Sequence, residues 1–223
     1  MPLTGEQIAF FREAITGYSF PAVYYDFQEN REVQARSMTD VEHAISGQLC
    51  SVHAEDVKNG LANILYWGYA NIGYRDIRVE GLINNITIGQ IKAFQGLLAN
   101  GKTPTMAEIK TIHIPQYSGM SFLSKVLMFL NPTHYCVLDK QIARLRTENS
   151  PKTLNQLSFG PKETQIRISS HNEAIYHCWR AECLAVSTTY CGGEYRVVDI
   201  ERGFFHAIQQ GRLLDAQTIY NGA

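Results

Sequence analysis

Apolar residues recur at intervals of three and four along most of the chain, whereas strict alternation of apolar and polar residues is rare. Intervals of three and four place apolar side chains on one face of an α-helix, and alternation is typical of a β-strand. Residues 56–72 show the helical pattern at these positions: Val57, Leu61, Ile64, Leu65, Gly68 and Ile72. The pattern therefore predicts an all-α protein.

Capping residues and helix breakers divide this pattern into separate predicted helices. Thr4 is the predicted cap of a first helix that runs through Ile15, and Thr39 with Glu42 forms a capping-box pattern for a second. Further helices are predicted over 56–72, 87–101, 106–112, 122–130, 140–145, 170–187 and 195–211. A short strand or extended loop is predicted over 21–28, and 146–168 form a polar connection with Pro151, Gly160 and Pro161.

Composition places the chain among packed globular proteins, because 45% of its residues are hydrophobic and 18% are charged. No apolar run reaches the roughly 18–20 residues that a membrane span needs. The first residues carry acidic groups and no basic segment, which argues against a signal peptide. We therefore expect a cytoplasmic protein without a membrane partner.

The five cysteines are scattered and odd in number, as expected for reduced thiols in the cytoplasm. The set nearest to a zinc site consists of His171, His177, Cys178, Cys183 and Cys191. These spacings match no common ligand pair such as C-x2-C. We therefore predict no metal and no other cofactor.

Charge is distributed unevenly along the chain. Residues 1–60 hold nine acidic and four basic residues, whereas residues 101–170 hold nine basic and four acidic residues. A basic central segment suits a surface that faces phosphates. Chance unevenness on a solvated face is the alternative interpretation.

The hairpin predicted at the centre of the chain suggests a phosphate-binding element. Two short helices, Met106–Ile112 and Phe122–Leu130, flank a connection that contains Pro115 and Gly119. The backbone N–H groups at the start of such a second helix can bind a phosphate without any side chain.

A single acidic residue, Asp139, follows this hairpin and immediately precedes the predicted helix 140–145. A carboxylate at the start of a helix is stabilised in its ionised form by the helix dipole. The alternative is that Asp139 serves only as a helix cap, which contributes about 1 kcal/mol.

This order resembles the helix-hairpin-helix DNA glycosylase superfamily, and most closely its 8-oxoguanine DNA glycosylase branch. The family hairpin L-P-G-x-G corresponds to residues 114–118, IPQYS, and the family aspartate corresponds to Asp139. Gln116 and Ser118 replace the two family glycines, unless a one-residue gap lets Gly119 stand for the second.

The resemblance covers 105–145 and extends weakly to 56–72. It implies a two-lobed all-α fold in one domain, 1–223, with the active site between the lobes. It also implies a monomer that acts on double-stranded DNA and hydrolyses the N-glycosidic bond of a damaged or modified base. Because this cleavage builds positive charge on the sugar, the carboxylate of Asp139 would stabilise that charge and activate the attacking water.

Bifunctional members of the family carry a nucleophilic lysine after the hairpin, and Met120 occupies the corresponding position here. The nearest lysine, Lys125, lies more than one helical turn further along. Lys125 has three interpretations: a solvated or snorkelling lysine, a phosphate contact or a relocated nucleophile. The resemblance therefore implies a monofunctional enzyme that uses water.

The resemblance also implies two further sets of site residues. The predicted DNA contacts are Asn71, Ser118, Gly119, Ser121, Lys140 and Arg144. The predicted base pocket consists of Tyr66, Trp67, Tyr69, Ser124, Phe204 and Phe205, which would surround a base flipped out of the duplex. Core packing is the alternative interpretation of each aromatic residue.

Two other functions fit the same sequence features. A non-catalytic helix-hairpin-helix DNA-binding module would retain the hairpin without the chemistry, and the replaced glycines favour it. A glycosylase that acts on modified phage DNA in defence would have the same sequence features as a repair enzyme.

Overall fold

The computed structural model describes residues 2–99, 101–148, 150–160 and 165–223. Within these ranges it contains ten α-helices and one two-stranded sheet, which confirms the prediction of a predominantly helical protein. No helix in the described ranges is long and apolar enough to span a membrane. Asn100 and Pro161, which belong to predicted boundaries and loops, lie outside the described residues.

The chain divides into two compact units of similar size. The first, which we call the terminal unit, combines Met1–Phe20 with Pro132–Ala223. The second, the central unit, is Pro21–Asn131. The predicted hairpin belongs to the central unit and Asp139 belongs to the terminal unit.

The central unit begins with an antiparallel pair of strands in which Val23 lies opposite Gln34. Its strands are β1 (Val23–Asp26) and β2 (Arg31–Gln34). Its helices are α2 (Met38–Leu49), α3 (Ala54–Gly68), α4 (Arg75–Asn85), α5 (Ile88–Leu98), α6 (Met106–Thr111) and α7 (Met120–Leu130). The strand β2 and the helix α4 were not predicted from the sequence.

Side-chain caps explain where several of these helices begin. Thr87 accepts a hydrogen bond from the Gln90 N–H at the start of α5, as the predicted start of that helix requires. The predicted cap at Thr39 is wrong, because Ser37 and Asp40 form the capping box of α2 two residues earlier. Two overlapping capping-box patterns compete in this segment, and the earlier one is used.

The terminal unit contains one helix before the central unit and three after it. They are α1 (Gly5–Thr16), α8 (Ser170–Cys191), α9 (Val197–Gln209) and α10 (Leu213–Gly222). The predicted capping of α1 by Thr4 is confirmed, with a full capping box to Gln7. Helices α1 and α9 pack closely, because a Cβ at Gly203 would lie only 2.6 Å from Ile15 Cγ1.

The segment between Asp139 and α8 is less helical than predicted. Instead of a helix over 140–145, it forms a single 3₁₀ turn at Ile142–Leu145. A second 3₁₀ turn, Thr153–Gln156, and a β-bridge between Phe159 and Ile166 follow within the predicted polar connection.

Candidate active site

Asp139 is half-buried, and its side chain binds backbone N–H groups at the start of the 3₁₀ turn that follows it. One carboxylate oxygen, Oδ1, accepts hydrogen bonds from the N–H groups of Gln141, at 2.9 Å, and Ile142, at 3.1 Å. The backbone carbonyl of Asp139 accepts a third bond from Ala143, at 2.9 Å. The capping role is therefore present, and the same contacts fix the orientation of a partly exposed carboxylate.

Helix α8 anchors the extended segment that leads to Asp139. Three of its side chains donate hydrogen bonds to carbonyls of this segment: Arg180 to His134 (2.6 Å), Tyr176 to Cys136 (2.7 Å) and Trp179 to Val137 (3.3 Å). Burial raises the pKa of the Tyr176 hydroxyl well above its usual value, so that it remains a donor. These side chains of α8 thus supply the hydrogen-bond donors that the backbone of a neighbouring β-strand would otherwise provide to these carbonyls.

An aromatic cluster of Tyr18, Phe20 and Phe205 lies in the same unit. All three rings are half-buried, and the ring centroid of Phe205 lies 6.2 Å from that of Tyr18 and 5.9 Å from that of Phe20. The Arg202 guanidinium lies 5.3 Å from the centre of the Tyr18 ring. The predicted pocket residue Phe205 is therefore accompanied by two aromatic residues that the sequence interpretation missed.

The charge of Asp139 affects the pKa of one member of this cluster, Tyr18. Burial raises the pKa of the Tyr18 hydroxyl, the cation of Arg202 opposes this, and the carboxylates of Glu201 and Asp139 raise the pKa further. Tyr18 therefore remains a neutral hydrogen-bond donor at physiological pH. The only sequence signal for this residue was its position beside Phe20, just after the first helix.

Helix α9 also brings two charged residues into the interior of the terminal unit. Glu201 is 4% exposed and Arg202 is 5% exposed. Arg202 lies 3.7 Å from Asp199 on the same helix. Buried charged groups of this kind are rare unless they are paired or functional, and the sequence interpretation did not single them out.

Phe204, by contrast, belongs to the core of the terminal unit. Its side chain is fully buried, with ring centroids 4.5 Å from Phe11, 5.9 Å from Trp179 and 6.0 Å from Tyr220. The ring has no exposed surface with which to stack on a base. We therefore leave Phe204 out of the proposed pocket.

The hairpin of the central unit has an unusual backbone at Gln116. This residue, where the resemblance predicts the first hairpin glycine, has a φ of +72°, in the left-handed region that favours glycine. Its side-chain oxygen accepts a hydrogen bond from Arg78 of α4 at 2.9 Å. The hairpin therefore adopts a glycine-like turn with a glutamine, whose side chain is directed onto α4.

The start of α7 carries three of the predicted DNA contacts. Gly119 is the N-cap residue with an extended backbone, and no side chain of the described residues caps this helix end. Ser118 is exposed and Ser121 is half-buried. The N–H groups of the first turn of α7 therefore have no side-chain cap in the described part of the chain.

Lys125 is buried, which contradicts the solvated form of the first interpretation. Its side chain is 6% exposed, and Nζ lies 3.1 Å from the Ser121 hydroxyl and 5.1 Å from the centre of the Phe122 ring. Its aliphatic stem packs near Gly68, where an added Cβ would be 3.3 Å from it. Met120, at the family lysine position, is fully buried.

The remaining predicted pocket residues lie in different environments within the central unit. Trp67 is buried with its ring 5.2 Å from Phe129, and Ser124 is buried and donates to the Ser121 carbonyl at 3.1 Å. Tyr69 is half-buried with its ring 4.7 Å from Phe122. Asn71, one of the predicted DNA contacts, is exposed.

Tyr66 borders a groove of about 430 Å³ in the central unit. Its hydroxyl donates to Glu32 at 2.5 Å, and the Arg75 guanidinium stacks 3.9 Å from the centre of its ring. Arg75 also pairs with Glu32 at 3.3 Å and with Asp76 at 3.2 Å. The ring of Tyr66 in this groove is therefore covered by Arg75, whose charge is paired with Glu32 and Asp76.

Lys140 and Arg144, the predicted phosphate contacts after Asp139, are both exposed. Arg144 donates to the side chain of Gln141 at 3.0 Å. Within the described residues, no group of three or more His, Cys, Asp or Glu residues could hold a metal ion. No family model, curated protein or solved structure matches this chain.

Proposed function

We propose that the protein is a DNA glycosylase with a two-lobed helix-hairpin-helix fold, which hydrolyses the N-glycosidic bond of a damaged or modified base. The observation that carries this proposal is the setting of Asp139. Its carboxylate is held by two backbone N–H groups, remains partly exposed and acts electrostatically on a half-buried aromatic cluster.

The proposed chemistry uses Asp139 in two ways. Its negative charge stabilises the oxocarbenium-like sugar that develops as the bond between C1′ and the base nitrogen breaks. It also accepts the proton that water loses when the water oxygen bonds to C1′. The departing base takes the bonding electron pair and is then protonated.

Tyr18, Phe20 and Phe205 are the proposed stacking partners of the extruded base. A flipped base requires an apolar slot with aromatic walls and a few hydrogen-bonding groups. The three half-buried rings supply the walls, and the neutral Tyr18 hydroxyl with the Arg202 guanidinium supplies polar contacts.

The proposal assigns DNA binding to both units. In the terminal unit, the exposed cations of Lys140 and Arg144 follow Asp139 directly. In the central unit, Ser118, Gly119 and Ser121 lie at the start of α7.

We expect a monofunctional reaction that leaves the DNA strand intact. A nucleophilic lysine must present a deprotonated amine to C1′ of the sugar. Met120 has no amine, and the amine of Lys125 is buried against Ser121 and Phe122 of its own helix.

The decisive experiment incubates the protein with duplexes that carry single damaged bases and with genomic DNAs that carry modified bases. Strand breaks are counted before and after alkali, which cleaves the strand at abasic sites. Borohydride is added during turnover in a parallel reaction. We expect abasic sites in intact strands and no covalent complex for at least one substrate, with Asp139→Asn as the inactive control. Strand nicking with a trapped adduct that is lost in Lys125→Ala would show that Lys125 is the nucleophile.

A binding module without catalysis is the second candidate, and Gln116 favours it. Gln116 stands where the glycosylase hairpin has a glycine, so the chain departs from the sequence of the catalytic relatives that it resembles. Tight duplex binding without base release from any substrate would support this candidate over the glycosylase.

A further inference from the structure

The guanidinium of Arg180 is held rigidly at the surface of the terminal unit. It stacks 3.6 Å from the centre of the Tyr135 ring. Its Nε donates to the His134 carbonyl at 2.6 Å, and Nη1 donates to His177 Nδ1 at 3.1 Å. Both Arg180 and Tyr135 are half-buried, so one side of the pair faces solvent.

Arg180 has no carboxylate within ion-pair distance among the described residues. Other cations of the described residues do have one, for example Arg12, Lys58, Arg75, Arg196, Arg202 and Arg212. The partners of Arg180 are instead a carbonyl, an imidazole nitrogen and aromatic rings. Within the described part of the chain, its positive charge is therefore fixed in place without a carboxylate at ion-pair distance.

The geometry leaves donors available for a ligand. A guanidinium carries five N–H groups in a planar fork, and its two hydrogen bonds to His134 and His177 use two of them. Stacking on Tyr135 fixes the plane of the fork. A fixed planar fork with unused donors matches the oxygens of a phosphate, which a guanidinium can bind through two parallel bonds.

Arg180 is also held in a defined relation to Asp139. Its bond to the His134 carbonyl belongs to the same set of contacts through which Tyr176 and Trp179 hold the segment that ends at Asp139. A group bound by Arg180 would therefore be positioned by the same segment as the proposed catalytic carboxylate.

We propose that Arg180 binds a phosphodiester of the DNA strand that carries the target base. This proposal rests on the proposed glycosylase function, which it deepens by naming a strand contact on α8 outside the basic segment 101–170. The alternative is that Arg180 serves only to hold residues 134–138 against α8.

Salt-dependent duplex binding distinguishes these roles. The affinity of the full chain for a short fluorescein-labelled duplex is measured by anisotropy over a range of salt concentrations, for wild type, Arg180→Gln and Arg180→Lys. Each lost phosphate contact should reduce the slope of log K against log salt by about 0.9. We expect this reduction in Arg180→Gln, and an unchanged slope with several-fold weaker binding in Arg180→Lys, because lysine keeps the charge and loses the fork.

Arg212 provides a matched control. Its guanidinium also lies over an aromatic ring of the terminal unit, 4.6 Å from the centre of Phe10, but it is paired with Asp215 at 2.6 Å. We expect Arg212→Gln to bind with the wild-type slope.

Equal slopes for wild type and Arg180→Gln would overturn the proposal and leave Arg180 with the holding role alone. An equal reduction of the slope in Arg212→Gln would also overturn it, because the reduction would then result from the loss of any positive charge. If Arg180→Gln does not fold, wild-type affinity in Arg180→Lys would overturn it. If the expected changes occur but no substrate loses a base, the phosphate contact stands and the glycosylase proposal fails.

Discussion

The segment around Asp139 and the hairpin around Gln116 were both predicted to face DNA, but their polar side chains differ in exposure and in hydrogen-bond partners. Asp139 uses one carboxylate oxygen for backbone N–H groups and remains partly exposed. In the central unit, the Gln116 side chain is bonded to Arg78, and the nearby Lys125 amine is buried. In the proposed glycosylase the terminal unit would therefore present the catalytic carboxylate, whereas the hairpin directs the side chains of Gln116 and Lys125 back into its own unit.

Two stacked arginines repeat this contrast. Arg75 lies on Tyr66 in the central unit and is paired with Glu32 and Asp76. Arg180 lies on Tyr135 in the terminal unit, with no carboxylate partner among the described residues. Stacking orients both guanidinium groups, but Arg75 is paired with carboxylates whereas Arg180 has none within ion-pair distance among the described residues.

The largest expected effect is loss of base release in Asp139→Asn. We expect the rate to fall by about two to four orders of magnitude, because the variant lacks the charge that stabilises the sugar cation and activates water. Asparagine is as good an N-cap as aspartate, so the melting temperature should remain near that of wild type. Release is measured in single-turnover reactions with the best substrate.

Asp139→Ala is the companion variant, because it removes the cap as well as the charge. We expect it to lose about 0.5–2 kcal/mol of unfolding free energy in addition to activity. Wild-type release by Asp139→Asn, together with a destabilised Asp139→Ala, would reduce Asp139 to a structural cap.

The second prediction tests whether the surroundings of Lys125 are closely packed. In Gly68→Ala the new Cβ would lie 2.8 Å from Phe122 Cε1 and 3.3 Å from the Lys125 stem. We expect a loss of about 1–3 kcal/mol in the free energy of unfolding, measured by urea denaturation.

Gly47→Ala in α2 is the matched control, because its added Cβ would have no described atom within 4 Å apart from its chain neighbours and the backbone of its own helix. It should be more stable than wild type by about 0.5–1 kcal/mol. If Gly68→Ala behaved like this control, the Phe122 and Lys125 side chains would have to move easily, and the contrast with Asp139 would weaken.

The third prediction concerns the left-handed backbone of Gln116. Replacement by glycine or alanine removes the bond to Arg78 in both cases, but only alanine retains the strain at a φ of +72°. Gln116→Gly should therefore be more stable than Gln116→Ala by about 1 kcal/mol. At Lys92, an exposed helical position, the order of the same two replacements should be reversed.

The smallest effect is a pH dependence that arises from His177. Burial lowers its pKa, the charge of Arg180 lowers it further, and Glu173 opposes them. Below about pH 6.5 the imidazole of His177 binds a proton more readily in the unfolded protein than in the folded protein. The free energy of unfolding therefore decreases as the pH falls. His177→Gln should make the unfolding free energy less dependent on pH below neutrality and leave its pH dependence unchanged near pH 8. An unaltered slope in acid would show that the bond to Arg180 does not need a neutral imidazole.

The sequence by itself determined the helical class and several helix starts. Thr4 and Thr87 cap helices as predicted, because a cap joins residues only three positions apart and depends little on the rest of the fold. Local pattern was insufficient where two signals competed, as at Ser37 and Thr39. It also failed after Asp139, where the predicted helix is a single 3₁₀ turn.

The tertiary structure decided which of the predicted polar groups remain accessible. Packing within the central unit buries Lys125, and helix α4 supplies the arginine that binds Gln116 from 38 positions away. In the terminal unit, Arg180 reaches a carbonyl 46 positions earlier in the chain and stacks on the adjacent tyrosine. Such contacts depend on how distant segments pack, and neither periodicity nor a capping pattern carries that information. The sequence therefore indicated the chemical groups, while long-range packing determined which of them remain accessible.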